Sequence, residues 1–255
     1  MKLKQMLAWI LSALLILSLA TCASGETEDK IVLAVGEIAD AAEIVEAMSP
    51  GKYEVVIYPT MNEMLAALKS GRVDASLATE DYANFIMKND DSLQFVPSER
   101  APVSLSMLTR ETDSDLTAKL NDAIETLKEN GTLEALYEQY VTAASPDSIP
   151  QAPEIETIEG AETITVGVSG DFPPHDYVSV DGKPSGYNVA LMGEIAKLAG
   201  INVEFETIVF GTKFAALQSG RIDLFFLHAG YTNFEGIVAT SAYDDGVQIG
   251  VLMPK

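Results

Sequence analysis

Apolar and polar residues alternate at Val55 and Ile57 and again at Val203 and Phe205, the period of a strand with one more buried face. Each alternation leads into a short helical run, Ala66-Ala67-Leu68 in one case and Ala215-Ala216-Leu217 in the other. Gly71 and Gly220 stop these runs, as left-handed C-cap glycines do. A largely apolar run follows each, ASLA at 75–78 and LFFL at 224–227, which suits a buried parallel strand. Residues 51–74 (GKYEVVIYPTMNEMLAALKSGRVD) and 200–223 (GINVEFETIVFGTKFAALQSGRID) match over 24 positions without a gap, and both end in A-A-L-x-S-G-R-(I/V)-D. Each copy reads as a β–α–β unit, and the duplication predicts two similar lobes.

Around the first copy, the pattern predicts a strand at 30–36, helices near 40–48 and 81–88, and strands at 93–96 and 103–108. Two amphipathic helices follow, 115–129 ended by Gly131, and 133–141. Residues 143–161 carry Pro146, Ser148, Pro150 and Pro153 among acidic residues and show no periodicity, so they read as a linker. As a flexible chain its ends would sit roughly 25 Å apart. A strand at 163–168, a hairpin-like turn at 180–183 and a helix near 189–199 precede the second copy, and a last strand is expected at 248–253.

With 255 residues, 47% of them hydrophobic, the chain can fill two lobes, each with its own core. The net charge of −22 excludes nucleic acid and an anionic membrane surface as partners. Lys2 and Lys4 precede an uncharged apolar run at 6–19, too short to span a bilayer comfortably, which predicts a signal peptide over 1–21. Cys22, the single cysteine, follows at once in Leu19-Ala20-Thr21-Cys22. This resembles a bacterial lipobox, although Thr21 stands where Gly, Ala or Ser is usual. A lipidated Cys22 with residues 22–29 as a tether is therefore expected, an ordinary cleavage after Ala23 or Gly25 being the other reading.

Residues 162–255 resemble the first lobe of the periplasmic solute-binding proteins for polar amino acids. The resemblance rests on ITVGVSGDFPPHDY, GKPSGYNVALMGEIAKLAG, FAALQSGRIDLFF and YDDGVQIGVLMPK. KIVLAVG and AALKSGRVDASLATEDYANF are similar to the second lobe, RAPVSLSML to the strand that crosses back, and LNDAIETLKENGTLEALYEQYV to the helices that return to lobe one. The resemblance implies an α/β, two-lobe periplasmic-binding-protein-like fold of type II, each lobe a sheet flanked by helices. Lobe two would span 30–103, the return strand and helices 104–142, and lobe one 162–255. This order inverts the family's and implies a circular permutation, with a fragment of a tandem array or swapped lobes as rivals. On this reading one lobe crossing lies at 100–108 and the other is cut, so that 248–253 should pair with 103–108 across the break.

In such proteins an amino acid lies between the lobes, its side chain between aromatics, its carboxylate on an Arg and a helix start, its amine on an Asp. The resemblance maps the aromatics to Phe172 and Phe210. The charged anchors depart from it: Glu235 stands for the Arg, His228 and Gly230 for serine-like positions, Thr79 followed by Glu80 for the Asp, and Glu37 follows the Gly36 that should cap the anion site. These departures argue for a cationic or neutral, partly planar ligand over a free zwitterionic amino acid. No Cys/His cluster suits a metal, no nucleophile–base pair is apparent, and no cofactor motif is present. The expected protein is an extracytoplasmic, lipid-anchored, non-enzymatic solute-binding protein serving an ABC transporter permease. A receptor or adaptor lipoprotein that has lost transport is the alternative. A lyase on the same fold would have to draw on Glu235, Glu80 or His228.

Overall fold

The structure, a computed structural model, describes residues 30–37, 41–228 and 235–255, apart from a few side chains. Every element below belongs to the unit Ile31–Lys255. The first half runs β1 (Ile31–Gly36), α1 (Ala41–Met48), β2 (Tyr53–Tyr58), α2 (Met61–Lys69), β3 (Ala75–Thr79), α3 (Glu80–Met87) and β4 (Leu93–Pro97). Then come β5 (Val103–Arg110), α4 (Ser114–Glu129), α5 (Thr132–Tyr137) and a π-helical turn, Glu138–Thr142. The second half begins with β6 (Thr163–Val168), β7 (Asp171–Phe172), β8 (Asp176–Val178), β9 (Pro184–Ser185), α6 (Tyr187–Ala199) and β10 (Asn202–Thr207). A 3-10 turn, Phe210–Thr212, leads to α7 (Lys213–Gln218), β11 (Leu224–His228), β12 (Ile237–Ala239), β13 (Asp244–Val247) and β14 (Ile249–Pro254).

Two five-strand orders repeat one plan. The first sheet is β2-β1-β3-β14-β4 and the second β10-β6-β11-β5-β12. In the first, β1 pairs parallel with β2 and β3, and β14 enters antiparallel between β3 and β4. In the second, β6 pairs parallel with β10 and β11, and β5 enters antiparallel between β11 and β12. Each sheet therefore takes one strand from a segment that has just left the other. Helices cover the sheets. Met64 and Leu68 of α2 join Tyr82, Phe85 and Ile86 of α3 on one face of the first sheet, while Val45 of α1 packs with Leu33 and Ala75 on the other. Leu120 and Ile124 of α4 and Leu191 and Ile195 of α6 pack against Val166 and Leu224 of the second sheet.

The duplicated unit closes in the same way twice. Gly71 (φ 70°) and Gly220 (φ 75°) take the left-handed conformation that ends α2 and α7, and the N–H groups of Arg72 and Arg221 reach back to Ala67 O and Ala216 O. The final aspartate then locks the next strand to its neighbour. Asp74 exchanges two bonds with Val32, N–H to O at 2.9 Å and Val32 N–H to Oδ2 at 2.8 Å. Asp223 does the same to Thr165, at 2.7 and 2.8 Å.

Two expectations need correction. The strand at 248–253 does not pair with 103–108. It ends inside the first sheet, and only Asp244 and Val247 of β13 face Leu105 and Val103. Both crossings are continuous chain, residues 98–102 and Gln248, so the expected break is absent from the crossing. They lie side by side: Ser98 N–H donates to Ile249 O at 2.9 Å and Gln248 Nε2 to Ser98 O at 3.2 Å. The physical reason is that β3 and β4 each have an unpaired edge, which one apolar strand satisfies together. Residues 143–161, expected as a loose connector, are fastened along their length. Pro150 O accepts from Tyr177 Oη, Ala152 N–H donates to Ser185 Oγ, and the Asn202 amide both accepts from Ile158 N–H and donates to Ile158 O.

Candidate functional site

The C-terminal ends of the parallel strands of the two sheets face one another across a seam, and the sequence places its chemistry there. β6 ends at Val168 and the chain turns through Ser169 and Gly170, whose N–H groups both donate to Asp176 Oδ1, at 2.7 and 2.8 Å. Asn188 Nδ2 donates to the other oxygen of Asp176 at 3.0 Å. This buried carboxylate fixes the loop that carries Asp171, Phe172 and His175.

That loop reaches the first sheet's half directly. Asp171 Oδ2 accepts from the N–H of Met61, the first residue of α2, at 2.8 Å. Thr60, the N-cap of α2, takes the N–H of Glu63, so this helix start has acceptors from both halves. Phe172 is 7% exposed, with its ring between Tyr82 of α3, 5.2 Å away, and His175, 5.1 Å away. Tyr137 Oη donates to Asp81 Oδ1 at 2.5 Å, and Lys88 Nζ donates to the carbonyls of Thr142 and Ala144. The protein's own side chains thus fill the seam around Phe172.

The remaining expected residues fall at different depths. Glu37 is exposed, yet its carboxylate lies against Gly211, where an added Cβ would stand 2.7 Å from Oε2. It therefore faces the 3-10 turn that Phe210 opens. The side chains of Phe210 and His228 lie outside the described residues. The backbone of His228 ends β11 opposite Ser106. Gly230 also lies outside the described residues. Glu235 sits on an exposed turn before β12, with no contact to this seam among the described residues. Thr79 spends its hydroxyl as the N-cap of α3, accepting from Tyr82 N–H at 3.4 Å. Glu80 is exposed, and its N–H donates to Gln248 O at the crossing. So Phe172, Thr79 and Glu80 converge on α3, Glu37 faces the turn, and Glu235 stands apart.

Sequence reasoning passed over several buried groups whose protonation is shifted. Burial pushes Asp171 up, and pushes the Lys213 ammonium down despite Asp176 and Asp171 beside it. Lys213 is 1% exposed and donates to Ser169 Oγ at 2.7 Å. Asp244 is pushed up to about 7 by burial first, then by Asp81 and Asp245. The signal available in sequence was the run Asp171-Phe172-Pro173-Pro174-His175: two titratable residues bracketing two prolines at the end of a parallel strand. No described cluster of His, Cys, Asp or Glu has the grouping of a metal site.

Comparison with known proteins places these features. Residues 34–143 and 164–233 match the model of the bacterial extracellular solute-binding proteins, family 3. The arginine-binding extracellular protein ArtP of Bacillus subtilis (strain 168) is 31% identical over 84 residues, 32% of this chain and 33% of that protein. The L-cystine-binding protein TcyA of the same organism is 34% identical over 80 residues, 31% of this chain and 30% of its own. The chain thus spans about a third of the length of the curated relatives it matches. Among solved structures, the ligand-binding component of an ABC-type import system from Staphylococcus aureus aligns with TM-score 0.48 at 13% identity, over 89% of this chain and 66% of that one. The GluR0 ligand-binding core from Nostoc punctiforme aligns with TM-score 0.39 at 11% identity, over 88% and 85%. The long match to the family model, on a chain whose two sheets each take a strand from the other half, leads to one conclusion: this chain belongs to the bacterial extracellular solute-binding proteins, family 3.

Proposed function

We propose that the chain captures a small solute between its two lobes and delivers it to an ABC-type permease, without turning it over. The single observation that carries this reading is the reciprocal strand exchange. β5 and β14 each complete the other lobe's sheet, and the paired crossings beside Gln248 and Ser98 give two hydrogen-bonded connections about which the lobes can close. We read the order of the lobes, 31–97 before 163–247, as a circular permutation joined through residues 143–161. This is supported by the same strand plan appearing in both sheets. Lipidation of Cys22 would hold the protein at the outer face of the membrane.

The ligand is cationic or neutral and partly planar. Glu37, Glu80 and Glu235 carry exposed negative charge, and Asp171 adds a carboxylate at the seam. The cation deepest at this end of the second sheet, Lys213, is wholly buried and committed to Ser169. Phe172 offers its ring only after Tyr82 moves aside or shares it. Calorimetry with amino acids (arginine included, after its relative), amines and cationic heterocycles tests the reading. Binding is expected from a cationic or neutral compound and none from free glutamate, glutamine or cystine. Micromolar binding of free glutamate, glutamine or cystine would overturn the charge assignment.

The filled seam favours one second reading, a receptor or adaptor lipoprotein of this fold. If no solute in the panel shifts the thermal stability of the purified chain, that reading takes precedence.

A further inference from the structure

His175 has no counterpart in the reading above. Its ring is 1% exposed, and neither ring nitrogen has a hydrogen-bond partner among the described residues. It lies on Phe172 with planes 15° apart and meets the edge of Tyr187 at 6.0 Å. Its Nε2 stands 3.7 Å from Asp81 Oδ2, which belongs to α3 of the other lobe and is itself buried without a hydrogen bond. The neutral ring already buries one donor and one acceptor unmade; an imidazolium would add a second donor and a charge, with Asp81 Oδ2 at 3.7 Å beyond hydrogen-bond distance.

We propose that His175 is a proton-controlled release for the seam: the lobes stay together while its ring is neutral, and proton uptake drives it towards water and parts them. The groups around it decide the sense. Asp81 on α3 faces it and already takes the Tyr137 hydroxyl of α5. Asp176 on β8 already accepts from Ser169, Gly170 and Asn188, the last from α6. Tyr187 of α6 gives only its ring edge. Lys213 of α7 donates to Ser169 Oγ and interacts electrostatically with Asp176 and Asp171. Burial, the largest cause, holds the imidazole below its ordinary value against the pull of Asp81 and Asp176. A base depressed in the closed form favours closure fully above about pH 6.5 and withdraws that support as pH falls. Asp244 on β13 works in the opposite sense, because protonating it on acidification removes a charge that repels Asp81. Its effect must therefore be separated from that of His175.

The release goes beyond solute capture and would operate equally in a receptor, so its test contains no ligand. Small-angle scattering of the purified chain from pH 8 to pH 5 reads lobe separation, and circular dichroism at each pH verifies that it stays folded. The wild type should show an upward shift in radius of gyration below about pH 6.5. The chain has only two histidines, so imidazole NMR resonances can assign the same transition to His175. His175→Phe, which keeps the stack on Phe172 without titrating, should hold its radius constant. His175→Gln provides a second non-titrating ring-free variant should the phenyl ring overpack, and Asp244→Asn should retain the shift. A constant radius in the folded wild type, or an equal rise in both His175 variants, overturns the proposal.

Discussion

Asp74 and Asp223 stand at matching ends of the two copies and make the same pair of backbone bonds, but their surroundings differ. Asp74 bonds Val32 in an exposed setting. Asp223 also holds Arg110 at 2.6 Å, and the same guanidinium donates to Leu217 O and Ile222 O and pairs with Asp113. Removing Asp74 loses one backbone bond in water, about 0.5–1.5 kcal/mol. Removing Asp223 loses that bond and loosens a half-buried guanidinium, about 1.5–3 kcal/mol. Urea denaturation of Asp74→Ala and Asp223→Ala should therefore show the second variant less stable, and equal losses would show that Arg110 adds nothing. The duplicated ending made these two residues legible in sequence, because a shared A-A-L-x-S-G-R-(I/V)-D requires a shared local structure. Arg110 was not legible, since it reaches Asp223 across more than a hundred residues of sequence. Nor was the burial of His175, which no periodicity encodes: its neighbours Asp81 and Tyr187 come from two different helices.

Among the elements, β14 most clearly separates what patterning can and cannot tell. The apolar run at its position announces a buried strand, but not which sheet receives it, because either sheet would bury the same side chains. Backbone edges decide: Val251 faces Leu77 on one side and Val96 on the other. The fit is close at Gly250. An added Cβ there would collide with Val96 O and stand 2.6 Å from the Phe95 ring. Gly250→Ala should cost about 1–3 kcal/mol through overpacking, measured as a lower denaturation midpoint with unchanged slope. If the midpoint does not move, β4 yields freely and the strand is less tightly held than its pairing implies. The linker shows the converse limit of patterning: its prolines forbid regular structure, yet side chains of the second lobe still capture its backbone.

At the scale of the whole molecule, a net charge of −22 disfavours an anionic lipid surface, and the proposed lipid on Cys22 would supply the attachment that surface charge does not. Cys22→Ala should move the protein from the membrane fraction of its native host to the soluble fraction. Equal retention of wild type and variant would rule out the anchor. No helix among the described residues is long and apolar enough to cross a membrane, which leaves that test to decide. The exchanged strands carry one further consequence, for the ribosome. During synthesis β1 to β4 emerge early, but the strand that joins β3 to β4 is made about 150 residues after β4. Until then the nascent first lobe carries two open strand edges, and at about 5–20 residues per second of translation that interval lasts roughly 8–30 seconds. A holdase that shields extended edges, or export before folding, is therefore a condition of this topology, and premature termination before Ile249 should yield aggregates in place of a half-sized folded lobe.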